Sequence, residues 1–431
     1  MKNTTLFIVI LSSIGFLLNL IFHRYLTHNM SPAAYGDFCI GLNILEIAST
    51  FLLFGTEISA MKFIPLLQKK HAAQRFITWN FHFVKKLFYG FLSLVVFSIF
   101  VLTLLGNTHD LHTSFWIILA TPIAALYTLI LVYLNTQNLI IISTSINTLL
   151  RYLLLIAIFF LFFDLLHIKV TGIMLSGIYL TVFSILAIFT IILYNRKNKT
   201  TLPFALFFSN KKLFFNQQQE WKSSSIKYLF SNLLFLLFIY IDKIILETVH
   251  EDENIVGHYA AAMLLAGLFS LVSQSSGTFL SPHISGLLHD NKNLSQLQNL
   301  IRKANKNLFT LFTILFLVYV IFGKTILSYF GKNGEYESIY YGLIFLSASQ
   351  IFLEVGNVSL RFLLYGGHAE FINKTLLSAL ITLFILGILL TYTFGIYGII
   401  VAHILASLFY MYAFTVKAKQ SFSQLKLLQF I

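Results

Sequence analysis

Six ionisable side chains stand inside or at the ends of long apolar runs, where each needs a reason to be tolerated. Glu46, Arg151 and Glu354 interrupt the runs near 37-60, 139-163 and 338-360. Taking a lone charge out of water is costly, so such a group either pairs with a neighbour or lines a hydrated cavity and serves a substrate or an ion. Counting along the runs places Glu46 and Arg151 near mid-helix, where cavity lining is favoured; for Glu354, nearer one end, a structural ion pair stays open beside a gating or ion-coupling role. Arg24 and the pair Asp242-Lys243 fall at the ends of two further runs, both about 25 Å along at 1.5 Å per residue. An ion pair between Arg24 and Asp242 would gate that end of a cavity; the alternative is that they snorkel separately to headgroups. Arg24, Arg151 and Lys243 are the cations able to offset a buried anion, with arginine offering a planar fork of donors. Glu46, Asp242 and Glu354 are the gating or ion-coupling candidates.

Other chemistries find little support. Thirteen histidines are scattered without an HExxH pattern, and Cys39 is the single cysteine, so neither a metal site, a disulfide nor a bound cofactor is expected. His23, His258 and His403 read as interfacial or packing residues. Gly323-Lys324-Thr325 matches the end of a phosphate-binding loop, but Val318 stands where glycine is required. Without a nucleotide site, any uphill transport would have to draw on an ion gradient or on substrate consumption at the far side.

The elements that must position these groups follow from composition. Of 431 residues 58% are hydrophobic and 10% charged, against roughly a quarter charged in soluble proteins. A water-soluble fold is excluded. The apolar residues come in runs of about 20, the length that carries a helix across about 30 Å of hydrocarbon. The spacing predicts an all-α integral membrane protein with about twelve transmembrane helices, near 6-27, 37-60, 86-105, 114-135, 139-163, 170-194, 226-247, 256-280, 307-330, 338-360, 373-394 and 397-416. The run from Phe7 to Phe22 follows Lys2 but lacks a small-residue cleavage site after it, so it reads as a retained helix. Pro122 falls inside the fourth run as a tolerated kink.

With both termini cytoplasmic, the inner segments collect 23 of the 29 Lys and Arg, chiefly in 62-86, 196-227 and 292-306. The outer ones hold Arg24, Lys169, Lys243, Lys324 and Lys332, and the loop after the seventh run is acidic through Glu247, Glu251, Asp252 and Glu253. The positive-inside rule selects this orientation. The net charge of +13 is thus a topology signal and not one for nucleic acid. The polar stretch Asn195 to Ser225 divides the chain into an N-terminal six-helix bundle over 1-200, a cytoplasmic linker over 201-225 and a C-terminal six-helix bundle over 226-431. A weak internal echo supports this division: Ala34-Tyr35-Gly36-Asp37 opens the second run as Val256-Gly257-His258-Tyr259 opens the eighth. Such repeats run parallel, as in many transporters.

Several segments resemble one family. Arg24-Tyr25-Leu26 followed by Met30-Ser31-Pro32-Ala33-Ala34-Tyr35-Gly36 is similar to the first signature of polysaccharide (O-antigen) flippases of the multidrug/oligosaccharidyl-lipid/polysaccharide exporter superfamily. Gly55-Thr56-Glu57 with Lys62-Phe63-Ile64-Pro65 resembles the segment closing their second helix. Ile241-Asp242-Lys243-Ile244-Ile245-Leu246 with Val256-Gly257-His258-Tyr259-Ala260-Ala261-Ala262 resembles their helix 7 to 8 signature, and the tenth helix through Gly366-Gly367-His368 also fits. This chain departs in an acidic insert, Glu251 to Asn254, and in His258. The resemblance implies two bundles around a central cavity that opens alternately to each side of a bacterial cytoplasmic membrane. It implies a cargo of oligosaccharide on polyprenyl pyrophosphate, which meets cavity cations through its pyrophosphate and Tyr25, Asn147, Tyr259 and Gln274 through its sugars. Membrane lipids are partners throughout; a coupling cation, a polysaccharide polymerase and a chain-length regulator are further ones. A cation-coupled drug exporter of the same superfamily would need an acidic cavity, and a membrane-embedded sugar polymerase or ligase a long outer loop. No outer loop exceeds about a dozen residues.

Overall fold

The computed structural model describes residues 2–67, 70–104, 116–137, 139–168, 172–197, 202, 217–250, 252, 254–287 and 294–427. Most of the polar linker, with Lys199, Lys211 and Lys212, lies outside the described residues, as do Lys169, Glu251 and Glu253. Among those described every regular element is helical, and twelve spans are long and apolar enough to cross a membrane. The chain is an all-α multi-pass membrane protein. The physical reason is that hydrocarbon offers no hydrogen bonds, so each crossing segment must satisfy its own backbone. Side chains such as Phe97 and Ile321, each 66% exposed, are at ease against lipid and costly against water.

The helices are α1 (Lys2–Asn29), α2 (Pro32–Leu53), α3 (Thr56–Leu66), α4 (Lys70–Leu104), α5 (Thr121–Thr136), α6 (Ile140–Ser145), α7 (Arg151–Phe160), α8 (Gly172–Lys197), α9 (Gln218–Val249), α10 (Asn254–Ala266), α11 (Leu268–Leu287), α12 (Leu294–Ser328), α13 (Tyr340–Tyr365), α14 (Ala369–Phe394) and α15 (Ile396–Ser421). Hydropathy finds the spans but not their breaks. The run read as 37-60 is cut at Phe54 and Gly55, both left-handed with φ of 55° and 71°. Phe54 N–H still donates to the Thr50 and Phe51 carbonyls at 3.1 Å, the manner in which a left-handed residue closes a helix. A bulky residue in this region is strained by about 1–3 kcal/mol. Pro122 follows a 3-10 turn at Ile118–Ala120 that leads directly into α5 at Thr121, so the helical run tightens at the proline instead of continuing as regular α-helix. The fifth span alternates α6, a π-helical turn at Ile146–Leu150, α7 and a second π-turn at Leu161–Leu165, and the eighth is divided at Gly267.

Two compact units emerge, one of Met1–Cys39 with Leu234–Ile431 and one of Ile40–Leu233. In the first, α13 packs along α15 and α15 along α14. The echoed motifs of the sequence meet here: a Cβ on Gly36 would come within 2.9 Å of the Gly257 nitrogen, and one on Gly257 would overlap the Pro32 carbonyl. Only hydrogen at both positions lets these helix starts cross so closely. In the second unit α5 packs against α8 and α3. An aromatic core of Phe76, Trp79 and Trp221 holds α4 to the start of α9, with Trp79 and Trp221 centroids 5.4 Å apart. Gly55 is seated there too, since a Cβ would overlap the Ser225 carbonyl. Ser59 and Ser225 hydroxyls bond at 2.8 Å beside it.

Candidate functional site

Three groups of residues bring ionisable side chains together, and the first surrounds Arg151 in the unit Ile40–Leu233. The π-turn before it widens the helix, a feature that recurs at functional sites, and Arg151 opens α7 immediately afterwards. Its guanidinium carbon lies 5.5 Å from the Tyr152 ring centroid and 5.3 Å from that of Phe183. Tyr127 and Tyr179 flank Phe183 at 5.6 and 5.9 Å. Arg151 Nε is buried without a hydrogen-bond partner. Ring faces are attractive to a cation but accept no ordinary hydrogen bond from that nitrogen. Glu46, exposed on α2, is close enough for its charge to act on Arg151 and Tyr152. Asn147 is one turn away and accepts from the Tyr127 hydroxyl at 3.4 Å. Such a box suits a ligand carrying both an acceptor for the free N–H and a face that stacks on aromatic rings.

The second group is in the other unit. Asp242 is fully buried and accepts from the Tyr259 hydroxyl at 2.5 Å and from the Lys243 backbone N–H at 2.7 Å. The Lys243 ammonium lies 5.3 Å from the Tyr240 ring centroid. His403 feels both the Asp242 and Lys243 charges, and its Nδ1 is 2.7 Å from the Ser349 hydroxyl. Arg24 is elsewhere: it is exposed, its Nε donates to the Tyr329 carbonyl at 3.1 Å, and its guanidinium sits 5.9 Å from the Tyr329 ring. Arg24 and Asp242 therefore do not pair in this structure. Residue counting supplies depth along a helix but not the direction in which a side chain points. Tyr259, expected to meet sugar, is committed to Asp242, whereas Gln274 is exposed and bonds Ser270 at 3.2 Å. His23 bonds the Tyr35 hydroxyl at 2.8 Å, the packing role expected of it.

Glu354 anchors the third group. It is 2% exposed and accepts from Asn357 at 3.0 Å, while Asn357 accepts from the Tyr410 hydroxyl at 2.5 Å. The Arg361 charge acts upon it, and Arg361 Nη2 donates to the Ser273 carbonyl at 3.1 Å. Space for that guanidinium exists because residue 277 is glycine; any Cβ there would overlap it. Beside Glu354 a cavity of about 430 Å³, walled by carbon from Phe309, Phe312, Phe316, Phe352 and Met411, runs along α12 and α13.

Sequence reasoning missed Arg361, which enters only as one of the 23 basic residues counted in the inner segments, and Glu57, named only within the motif Gly55-Thr56-Glu57. Glu57 lies beyond the membrane span Pro32–Leu53 and is 7% exposed. Its Oε1 accepts from Asn232 at 3.4 Å and its Oε2 is buried without a partner. Burial pushes the carboxyl up to about 7. An acid in the first turn of a helix is ordinarily a dipole-complementing surface residue, so nothing in the local sequence marks this one. No cluster of three or more His, Cys, Asp or Glu able to hold a metal occurs among the described residues.

Comparison with known proteins places this arrangement. No curated protein matches the chain. Among solved structures it is similar to the lipid II flippase MurJ in an inward closed conformation, at 16% identity over 97% of this chain and 89% of that one, with a TM-score of 0.68. It is similar to a variant of the Vibrio cholerae MATE transporter VcmN at 14% identity over 98% and 96%, with a TM-score of 0.65. An outward-facing multidrug resistance MATE transporter of the MOP superfamily matches at 11% identity over 98% and 95%, with a TM-score of 0.66. These likenesses establish a common fold. The family model described as polysaccharide biosynthesis protein matches residues 1–288. The twelve-span chain, with its MurJ- and MATE-like fold, belongs to the polysaccharide biosynthesis protein family.

Proposed function

We propose that the protein is a flippase that moves a polyprenyl-pyrophosphate-linked oligosaccharide, an O-antigen or similar repeat unit, from the cytoplasmic to the outer leaflet by alternating access. The observation that carries this reading is Arg151, whose Nε is buried without a hydrogen-bond partner inside a box of aromatic rings. Sugar rings stack on aromatic faces and their oxygens accept from such donors, while a pyrophosphate needs cations to leave water. Arg24, Arg151 and Lys243 are the proposed substrate-binding cations. Glu46, Asp242 and Glu354 are the proposed gating or ion-coupling groups. The fold shared with a lipid II flippase supports a lipid-linked cargo. The two six-helix bundles, a bacterial cytoplasmic membrane, both termini in the cytoplasm, and work beside a polysaccharide polymerase and chain-length regulator belong to the same reading. Deleting the gene should trap one lipid-linked oligosaccharide on the cytoplasmic leaflet, and restoring it should clear the block. Normal surface glycan in the deletion, or accumulation on the outer leaflet, would overturn the proposal.

A further inference from the structure

We propose that Glu57 is a proton-binding site whose occupancy sets how firmly the break between α2 and α3 is seated on α9. Four observations within one compact unit meet at this residue. Its Oε2 is enclosed and has no donor, so the anion is held only by its own backbone N–H and by a long contact to Oε1 from Asn232 on α9. It follows two consecutive left-handed residues, one of them a phenylalanine, the kind of strained joint that a local change can release. Gly55 in that joint presses directly on the α9 backbone at Ser225 and Leu229. Ser59 clasps Ser225 one turn further on. A bare charge at Oε2 therefore sits at the contact between the joint and α9.

The groups around it do not compensate that charge. On its own helix, Lys62 is drawn to the Phe63 and Tyr228 rings at 5.0 and 5.9 Å. The packed elements carry Glu220, Lys222, Lys227 and Tyr228 on α9, Arg75, His82, Lys85 and Lys86 on α4, and Tyr127 and Tyr133 on α5. The carboxyl's state is governed instead by burial, by its own backbone N–H and by the Asn232 amide. Burial dominates and makes the group titrate near neutrality. A proton taken from water binds Oε2 and gives the neutral acid, which fits the dry seat; its return to water leaves an anion that draws hydration into the joint. No other bond is made or broken. The α9 helix that receives this joint also carries Asp242 and Lys243 further along. Proton uptake at Glu57 is thereby linked to the helix bearing two of the proposed transport residues. That last link rests on the flippase reading, whereas the proton site itself does not.

Infrared difference spectroscopy of the reconstituted full-length protein, titrated through neutrality, tests the site without any cargo. A protonated-carboxyl C=O band should disappear with a midpoint near 7 in the wild type and be missing in Glu57→Gln. Asn232→Leu should keep the band and move its midpoint upward. A band unchanged in Glu57→Gln, or one lost in the range of solvated carboxylates, overturns the assignment. Hydrogen exchange at residues 54–60, corrected for intrinsic base catalysis, should rise through the same midpoint in the wild type and stay flat in Glu57→Gln. Identical profiles would sever the proton from the joint. Should both tests succeed while no lipid-linked cargo moves, the fault lies in the flippase reading and not in the proton site.

Discussion

Replacing Glu57 by Gln exchanges a titratable group for a neutral one of the same shape, and its effect on stability can be worked out in advance. The carboxyl rises from an ordinary 4.5 to about 7 on folding, so between those values the folded state holds a proton that the unfolded state has released. Stability contributed at this position therefore falls as pH rises through that window. Below it the group costs nothing. Above pH 7 the folded protein carries the full penalty, about 3 kcal/mol at roughly 1.4 kcal/mol per tenfold difference in proton affinity. Glu57→Gln should remove the penalty. The variant should match the wild type at pH 4.5 and exceed it progressively, by up to about 3 kcal/mol at pH 8 less any loss from a poorer contact with Asn232. Denaturant unfolding of detergent-solubilised protein at several pH values measures the difference directly. A wild-type minus variant difference that is constant with pH would refute the reasoning, because a purely steric effect of the amide does not titrate.

Arg151→Ala should leave membrane insertion intact and reduce surface glycan about tenfold to a hundredfold, matching the loss of about 1.4–2.7 kcal/mol of charged hydrogen bonding. Arg151→Lys should recover part of it; undiminished glycan in the Ala variant would make the residue structural. Because Asp242 bonds Tyr259 and not Arg24, Asp242→Asn and Tyr259→Phe should show a coupling energy of about 1–3 kcal/mol in a double-mutant unfolding cycle, and Asp242→Asn and Arg24→Ala should add within about 0.5 kcal/mol. A reporter fused after Gln217 should be active in the cytoplasm and one fused at Glu253 outside, as the partition of basic residues requires; inversion of both would overturn the topology.

Composition and run length alone determined the membrane class and the twelve spans, because the hydrocarbon thickness imposes a helix length and excludes charge over a contiguous stretch that is read directly along the chain. The same logic brought Arg151 to notice. An arginine amid Leu, Ile and Phe must be accommodated somewhere, and the structure surrounds it with Tyr152, Phe183 and their neighbours. Motif order also carried the family, since the signatures between Arg24 and Ala262 fall within the residues 1–288 that the family model covers, and the tenth-helix segment through His368 alone lies beyond them. Tertiary structure alone decided the partners. Asp242 bonds Tyr259 while Arg24 bonds the Tyr329 carbonyl, and the direction in which each side chain points is not contained in depth counting. The break after Leu53 stayed hidden because Phe54 and Gly55 leave hydropathy unchanged while reversing φ. Glu57 and Arg361 were overlooked for a related reason: the burial that perturbs the one and the gap at Gly277 that admits the other are made by residues distant in sequence, and only packing brings them into contact.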